Sequence, residues 1–89
     1  MDNWSVYIVE CSDGSLYTGI SNNVDRRVKA HNAKKGAVSI KGRLPVKLVY
    51  KEDLGTKSLA LKREFAIKKL ARKDKLRLIN EKSPILWSS

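Results

Sequence analysis

Apolar and polar positions alternate along this chain in blocks that mark strands first and helices later. Residues 4–11 form an apolar run rich in β-branched and aromatic side chains, and the turn-forming Ser12-Asp13-Gly14-Ser15 follows it. The pattern predicts a strand and a hairpin, with residues 16–20 returning as a second strand. Loop length decides which side chains share a face, because a one-residue slip in register reverses them all. A two-residue Asp13-Gly14 loop would set Tyr7 and Tyr17 on opposite faces. A three-residue Ser12-Asp13-Gly14 loop with Gly14 left-handed would pair Val9 with Tyr17. Tyr7, Val9, Tyr17 and Gly19 would then face the same way, and this is the arrangement we expect.

Helical spacing follows. Ser21-Asn22-Asn23 offers N-caps and Asp25 suits a first turn, so a helix is expected to about Lys34, stopping before Gly36. Val24, Arg27, Val28 and His31 fall on one side of it. Residues 35–45 read as a loop. Residues 46–51 read as a third strand, whose Val46, Leu48 and Tyr50 alternate with Lys47 and Lys51 as for a sheet with one covered face. Thr56 or Ser58 can cap a second helix over 59–72, and a third is expected over 74–80 with Leu76 and Ile79 inward. Residues 83–89, with Ile85-Leu86-Trp87, are expected to form a tail that folds back onto the body. No internal repeat or linker is visible, so 1–89 reads as one domain with a core over about 4–80.

Charge changes the picture more than length does. Nineteen Lys and Arg against nine Asp and Glu give a net charge of +10. A domain this basic carries the electrostatic footprint of a nucleic-acid binder, with phosphate contacts as the main source of affinity. Hydrophobic residues make up 42% of the chain, enough for a packed core and too many for a disordered basic tail. The single cysteine, Cys11, excludes an internal disulfide and a four-Cys metal site, and its place in a strand suits a small buried side chain. The first residues show no secretory leader and no run is long enough to span a membrane, so a cytoplasmic protein is expected.

Several residues could carry chemistry, and each also has a plain structural reading. On the second helix Glu64 shares an arc with Ala60, Leu61, Ile67 and Ala71, and Lys68 is the other charge on it. A carboxylate on an apolar face needs a partner or a metal. An ordinary Glu64–Lys68 bridge four residues apart would also account for it. Arg27 and His31 could simply rim a basic helix, and Tyr7 and Tyr17 could be sheet-face aromatics. A lone histidine without a second His or a nearby Cys excludes zinc, so any metal would be a hard ion held by oxygen and water, as Mg²⁺ prefers.

Taken as an ordered set, these residues resemble the GIY-YIG nuclease superfamily, in particular its short stand-alone bacterial members. The resemblance runs from about Trp4 to Ile79. Its two tripeptides correspond to Ser5-Val6-Tyr7 and Tyr17-Thr18-Gly19. Its arginine falls on Arg27, its histidine on His31 and its metal-binding glutamate on Glu64, while Asn80 is a candidate for a family asparagine near the site. Ser5 replaces the first glycine, and Ser39 and Ile40 stand where related short members usually show tyrosine and threonine. The resemblance implies an α+β fold (an α/β sandwich), with a three-stranded antiparallel sheet flanked by about three helices. It also implies cleavage of phosphodiester bonds in DNA with a single Mg²⁺ or Mn²⁺. In that scheme Glu64 holds the metal, Tyr7 with Tyr17 or His31 takes the proton of the attacking water, and Arg27 neutralises the phosphate. A tyrosine works as a base only if cations lower its pKa from about 10, which Arg27 and the metal would do; the alternative is a metal-bound hydroxide that Tyr7 merely orients.

Two functions are therefore weighed. One is a metal-dependent endonuclease acting on nucleic acid, DNA before RNA, of the repair or recombination type. The other is a basic binding module on the same scaffold with little or no cleavage. Arg26, Lys34, Lys35, Lys41, Arg43 and Lys68 are the expected nucleic-acid contacts. The expected state is a monomer, with a protein partner as a candidate source of targeting.

Overall fold

The computed structural model describes residues 3–33 and 42–81. Strands β1 (Trp4–Glu10) and β2 (Leu16–Ser21) form the hairpin, followed by helix α1 (Val24–Asn32), strand β3 (Lys47–Gly55) and helices α2 (Lys57–Lys68) and α3 (Arg72–Glu81). The sheet is antiparallel with order β2-β1-β3. β1 is thus the central strand, and Val6, Tyr7, Ile8 and Val9 are all buried at 1% exposure or less. This α+β architecture is the one the resemblance implied. Among the described residues, no helix is long and apolar enough to cross a membrane.

The hairpin closes as the three-residue alternative requires. Cys11 N donates to Ser15 O (2.8 Å), Gly14 N donates to Cys11 O (2.9 Å), and Gly14 has φ +85°. Val9 therefore pairs with Tyr17 and Tyr7 with Gly19. Asp13 Oδ1 accepts from the Ser15 backbone (3.0 Å) and hydroxyl (2.6 Å), fixing the turn with its own side chain.

Each face of the sheet carries its own apolar cluster. Tyr7 and Val9 pack with Val24 and Val28 of α1 and with Val46 and Leu48. On the other face Val6, Ile8 and Tyr50 pack with Ile67 of α2 and Leu78 of α3. The expected third strand is corrected here. A bulge lets Ile8 pair with Tyr50 while Val9 pairs with Leu48, leaving Val49 as the extra residue, so Leu48 and Tyr50 serve opposite faces. The strand also continues to Gly55, well beyond Lys51, because β1 offers pairing partners as far as Trp4. Arg63 Nε donates to Glu52 Oε1 (2.8 Å), and the Tyr50 hydroxyl donates to the same oxygen (3.1 Å), which ties α2 to β3.

The helices differ from expectation mainly at their ends. Asn23 caps α1 by accepting from Arg26 N (3.1 Å), and Thr56 caps α2 by accepting from Leu59 N (3.2 Å). α2 stops at Lys68 where it was expected to reach 72, because Lys69 N and Leu70 N bond back three residues, to Ala66 O (3.3 Å) and Ile67 O (3.0 Å), and tighten the last turn. The reversal swings α3 back so that Leu78 reaches the Ile67 cluster. Ala60 and Ile67, seven residues apart, mark the buried line of α2. Leu61 and Lys68 lie about 80–120° from that line and are exposed, as is Ala71 in the turn, so the inward arc expected for these three is too wide. α3 presents Leu78 and part of Ile79 to the sheet, leaving Leu76, expected inward, at 39% exposure.

Candidate active site

The hairpin register puts Tyr7 and Tyr17 on the α1 face of the sheet, with ring centroids 6.5 Å apart. α1 crosses that face and presents Arg27 and His31, one turn apart. The His31 ring meets Tyr17 edge-on (5.5 Å between centroids) and Tyr7 at a tilt (6.2 Å). His31 Nε2 lies 2.9 Å from the Tyr7 hydroxyl, and both residues are 1% exposed. Four side chains from three elements thus converge.

Their electrostatics follow from that burial. Removal from water raises the Tyr7 phenol above its ordinary 10.0, and the Tyr17 and Glu64 charges add to the rise. A hydrogen bond and the positive charge of Arg27 pull the other way and only partly offset burial. Arg27 thus acts in the expected direction, but burial is the larger effect, and the phenol stays above its ordinary value and protonated near neutral pH. His31 is shifted down from 6.5, first by burial and then by the Arg27 charge, which makes it the neutral imidazole at pH 7. In the tautomer that carries its hydrogen on Nδ1, His31 Nε2 accepts the phenol proton; in the other it donates to the phenol oxygen.

That downward shift has a consequence for stability. The unfolded chain binds a proton at His31 more readily than the folded one, so lowering the pH through 6.5 favours unfolding until the folded histidine also titrates. Thermal melts between pH 7.5 and 5 should show the wild type losing stability more steeply than His31→Gln. Parallel profiles would show that the buried imidazole does not carry this penalty.

Glu64 stands on α2, a helix whose Ile67 packs on the sheet face opposite α1 and which touches all three strands. Its side chain is 19% exposed, and it pairs with Lys68 Nζ at 3.4 Å, while Lys68 itself is 54% exposed. The ordinary bridge is thus present, but its cationic half stands in solvent and is worth a few tenths of a kcal/mol. The Glu64 charge nonetheless acts on Tyr7. Among the described residues, no three His, Cys, Asp or Glu side chains are grouped to hold a metal. One half-buried carboxylate fits a hard ion that keeps most of its waters and shares the substrate's phosphate, and it does not fit a closed protein cage.

The remaining candidates are spread more widely. Arg26 is exposed beside Arg27 at the start of α1. Arg43 sits at the hairpin turn, where its Nε is 3.6 Å from Asp13 Oδ2, Nη1 donates to Ser15 Oγ (3.4 Å) and its carbonyl accepts from Ser12 N. Asn80 is exposed on α3, a helix packed on the sheet face opposite α1. Lys34, Lys35, Lys41, the loop change at Ser39 and Ile40, and the 83–89 tail lie outside the described residues.

Three residues of this face had no role assigned from sequence. Gly19 lies against the Tyr7 ring: a Cβ there would sit 2.8 Å from the hydroxyl oxygen and 2.9 Å from Cζ. Asn32, next to His31, donates from Nδ2 to Val46 O (3.1 Å) and accepts from Val46 N at Oδ1 (2.7 Å), fastening the end of α1 to the chain entering β3. Lys51 is opposite Tyr7 in the β1–β3 register, with Nζ 3.6 Å from Asp53 Oδ1. The Tyr17-Thr18-Gly19 motif was the available signal for Gly19, whereas Lys51 was hidden by the bulge.

Comparison with known proteins identifies the family of the chain. Residues 3–78 match the GIY-YIG catalytic domain. The chain is 57% identical over 82 residues to a UPF0213 protein of Staphylococcus aureus, covering 92% of this chain and all of that one. The solution structure of the UPF0213 protein of Bacillus halodurans is 42% identical, covers 93% of this chain and 89% of its own, and superposes with a TM-score of 0.59. A solution structure from E. faecalis is 36% identical, with 91% and 90% covered and a TM-score of 0.61. The chain belongs to the GIY-YIG catalytic-domain family, a nuclease superfamily.

Proposed function

We propose that this chain is a metal-dependent endonuclease that hydrolyses phosphodiester bonds of nucleic acid, DNA before RNA, in repair or recombination. The observation that carries the proposal is the buried Tyr7 hydroxyl, 2.9 Å from Nε2 of a neutral His31, with the Arg27 and Glu64 charges acting on that phenol. A surface that only bound phosphates would gain nothing from burying a proton-transfer pair. In this reading the protein works as a monomer in the cytoplasm, with any targeting supplied by a protein partner.

Arg27 provides paired donors to the non-bridging phosphate oxygens and stays charged throughout. The attacking water gives its proton to the Tyr7 oxygen as the Tyr7 proton passes to His31 Nε2, so no free tyrosinate forms in the buried site. Water oxygen bonds to phosphorus, the P–O bond to the leaving group breaks, and His31 ends as imidazolium until it returns the proton to the departing oxygen or to solvent. Tyr17 packs against the His31 ring edge and holds its plane. Glu64 is the residue that would hold Mg²⁺ or Mn²⁺, and the bound ion would supply Lewis-acid stabilisation of the leaving oxygen. Arg26, Arg43 and Lys68, with Lys34, Lys35 and Lys41, would contact the flanking backbone.

A substrate panel with added Mg²⁺ or Mn²⁺ tests the reading. Single-stranded, duplex and branched DNA and RNA should include at least one species that is cut, and Arg27→Ala should lower the rate on it by a hundredfold or more. If no substrate in the panel is cleaved, but binding is retained, the chain is a binding module on this scaffold.

A further inference from the structure

The reactive cluster does not end at Arg27. A cleft of about 330 Å³ opens where β2 passes into α1, and Trp4, Ile20, Asn22, Arg26, Arg27 and Ala30 are among its walls. That volume is at the lower end of small-molecule sites, roughly 300–1,000 Å³. The Trp4 indole, half-buried, has Lys57 Nζ 5.2 Å from its ring centroid and also lines the cleft. Asn22 brings a side-chain amide to the rim, exposed to solvent. Arg27 belongs to both places, bonding Tyr7 on one side and walling the cleft on the other.

We propose that this cleft is a nucleobase subsite, in which Trp4 stacks on the base of the nucleotide adjoining the phosphate held by Arg27. The inference rests on the nuclease reading and narrows it. A base can reach the indole only after leaving its own stack, so the substrate is cut beside an unpaired or extruded nucleotide. An aromatic platform takes any base through its π-face, with two arginines fixing the backbone beside it, and an amide at the rim reads base edges weakly. A cleft that held only phosphate would need no indole.

Binding of the full chain, measured by fluorescence anisotropy in metal-free buffer with chelator, separates base from backbone. The probes are a labelled mixed-sequence single-stranded oligodeoxynucleotide and a strand of the same length built from abasic residues. Wild type should bind the base-bearing strand about tenfold more tightly or better. Trp4→Ala should bring the two affinities within about twofold, and Trp4→Phe should keep part of the preference. Ala30→Leu, which fills the cleft from the helix side and leaves Trp4 in place, should also remove it, so the test survives if Trp4→Ala melts. Equal binding of both strands by wild type, or an undiminished preference in a folded Trp4→Ala or Ala30→Leu protein, overturns the subsite. Because no metal is present, absence of cleavage in the substrate panel leaves this result standing, and a failed base preference leaves the nuclease reading standing.

Discussion

Glu64→Ala should abolish Mg²⁺- or Mn²⁺-dependent cleavage while leaving metal-free DNA binding unchanged or slightly tighter. The expected loss is at least about a thousandfold, since a metal's charge stabilisation is worth several kcal/mol and each 1.36 kcal/mol is about a factor of ten. Binding is spared because the substitution removes a negative charge from a basic surface. Folding is spared because the bond given up is a half-exposed bridge to Lys68. That bridge also supplies the control. Lys68→Met breaks the same ion pair and should cost no more than a few-fold, through one lost backbone contact. If Glu64→Ala and Lys68→Met behaved alike, Glu64 would be a surface bridge and the metal role would fall. Full cleavage by Glu64→Ala would have the same meaning.

The sequence disclosed the site's α1 face better than its edges, for a physical reason. Tyr7 and Tyr17 share a face because a short loop with a left-handed Gly14 admits one register, and turn chemistry is local. Arg27 and His31 stand one turn apart, which the helical period fixes without any tertiary information. What was not legible depends on contacts between distant segments. The Val49 bulge, which turns Lys51 toward Tyr7 and Tyr50 away from Leu48, answers to β1 pairing across forty residues of chain. The early end of α2 reflects where α3 must turn to bury Leu78, and no residue near Lys68 announces it. Local periodicity also centred the α2 arc on Glu64, whereas packing centred it on Ala60 and Ile67. Glu64 is consequently half-buried at the flank of that line, where its charge reaches Tyr7 without full burial. The expected effect of Arg27 on Tyr7 had the right sign, but burial, which no sequence pattern measures, is larger.

Gly19→Ala should damage stability and cleavage together, from a single added methyl group. Gly19 has no positive φ among the described glycines, so space and not backbone conformation is what it supplies. A Cβ would meet the Tyr7 oxygen at 2.8 Å, Tyr7 Cζ at 2.9 Å and Tyr17 Cε2 at 3.2 Å. Tyr7 has nowhere to retreat, being 1% exposed and flanked by the Tyr17 and His31 rings. Overpacking of this kind costs about 1–3 kcal/mol, and each kcal/mol lowers the melting temperature of a domain this size by roughly 4–8 °C. Whatever movement relieves the clash also separates the Tyr7 oxygen from His31 Nε2, and a misplacement near 1 Å can cost about a hundredfold in rate. Gly42→Ala is the matching control, because a Cβ there meets nothing within 4 Å and should be neutral in both assays. A Gly19→Ala protein with wild-type melting temperature and wild-type cleavage would mean that Tyr7 is not held where the relay to His31 needs it.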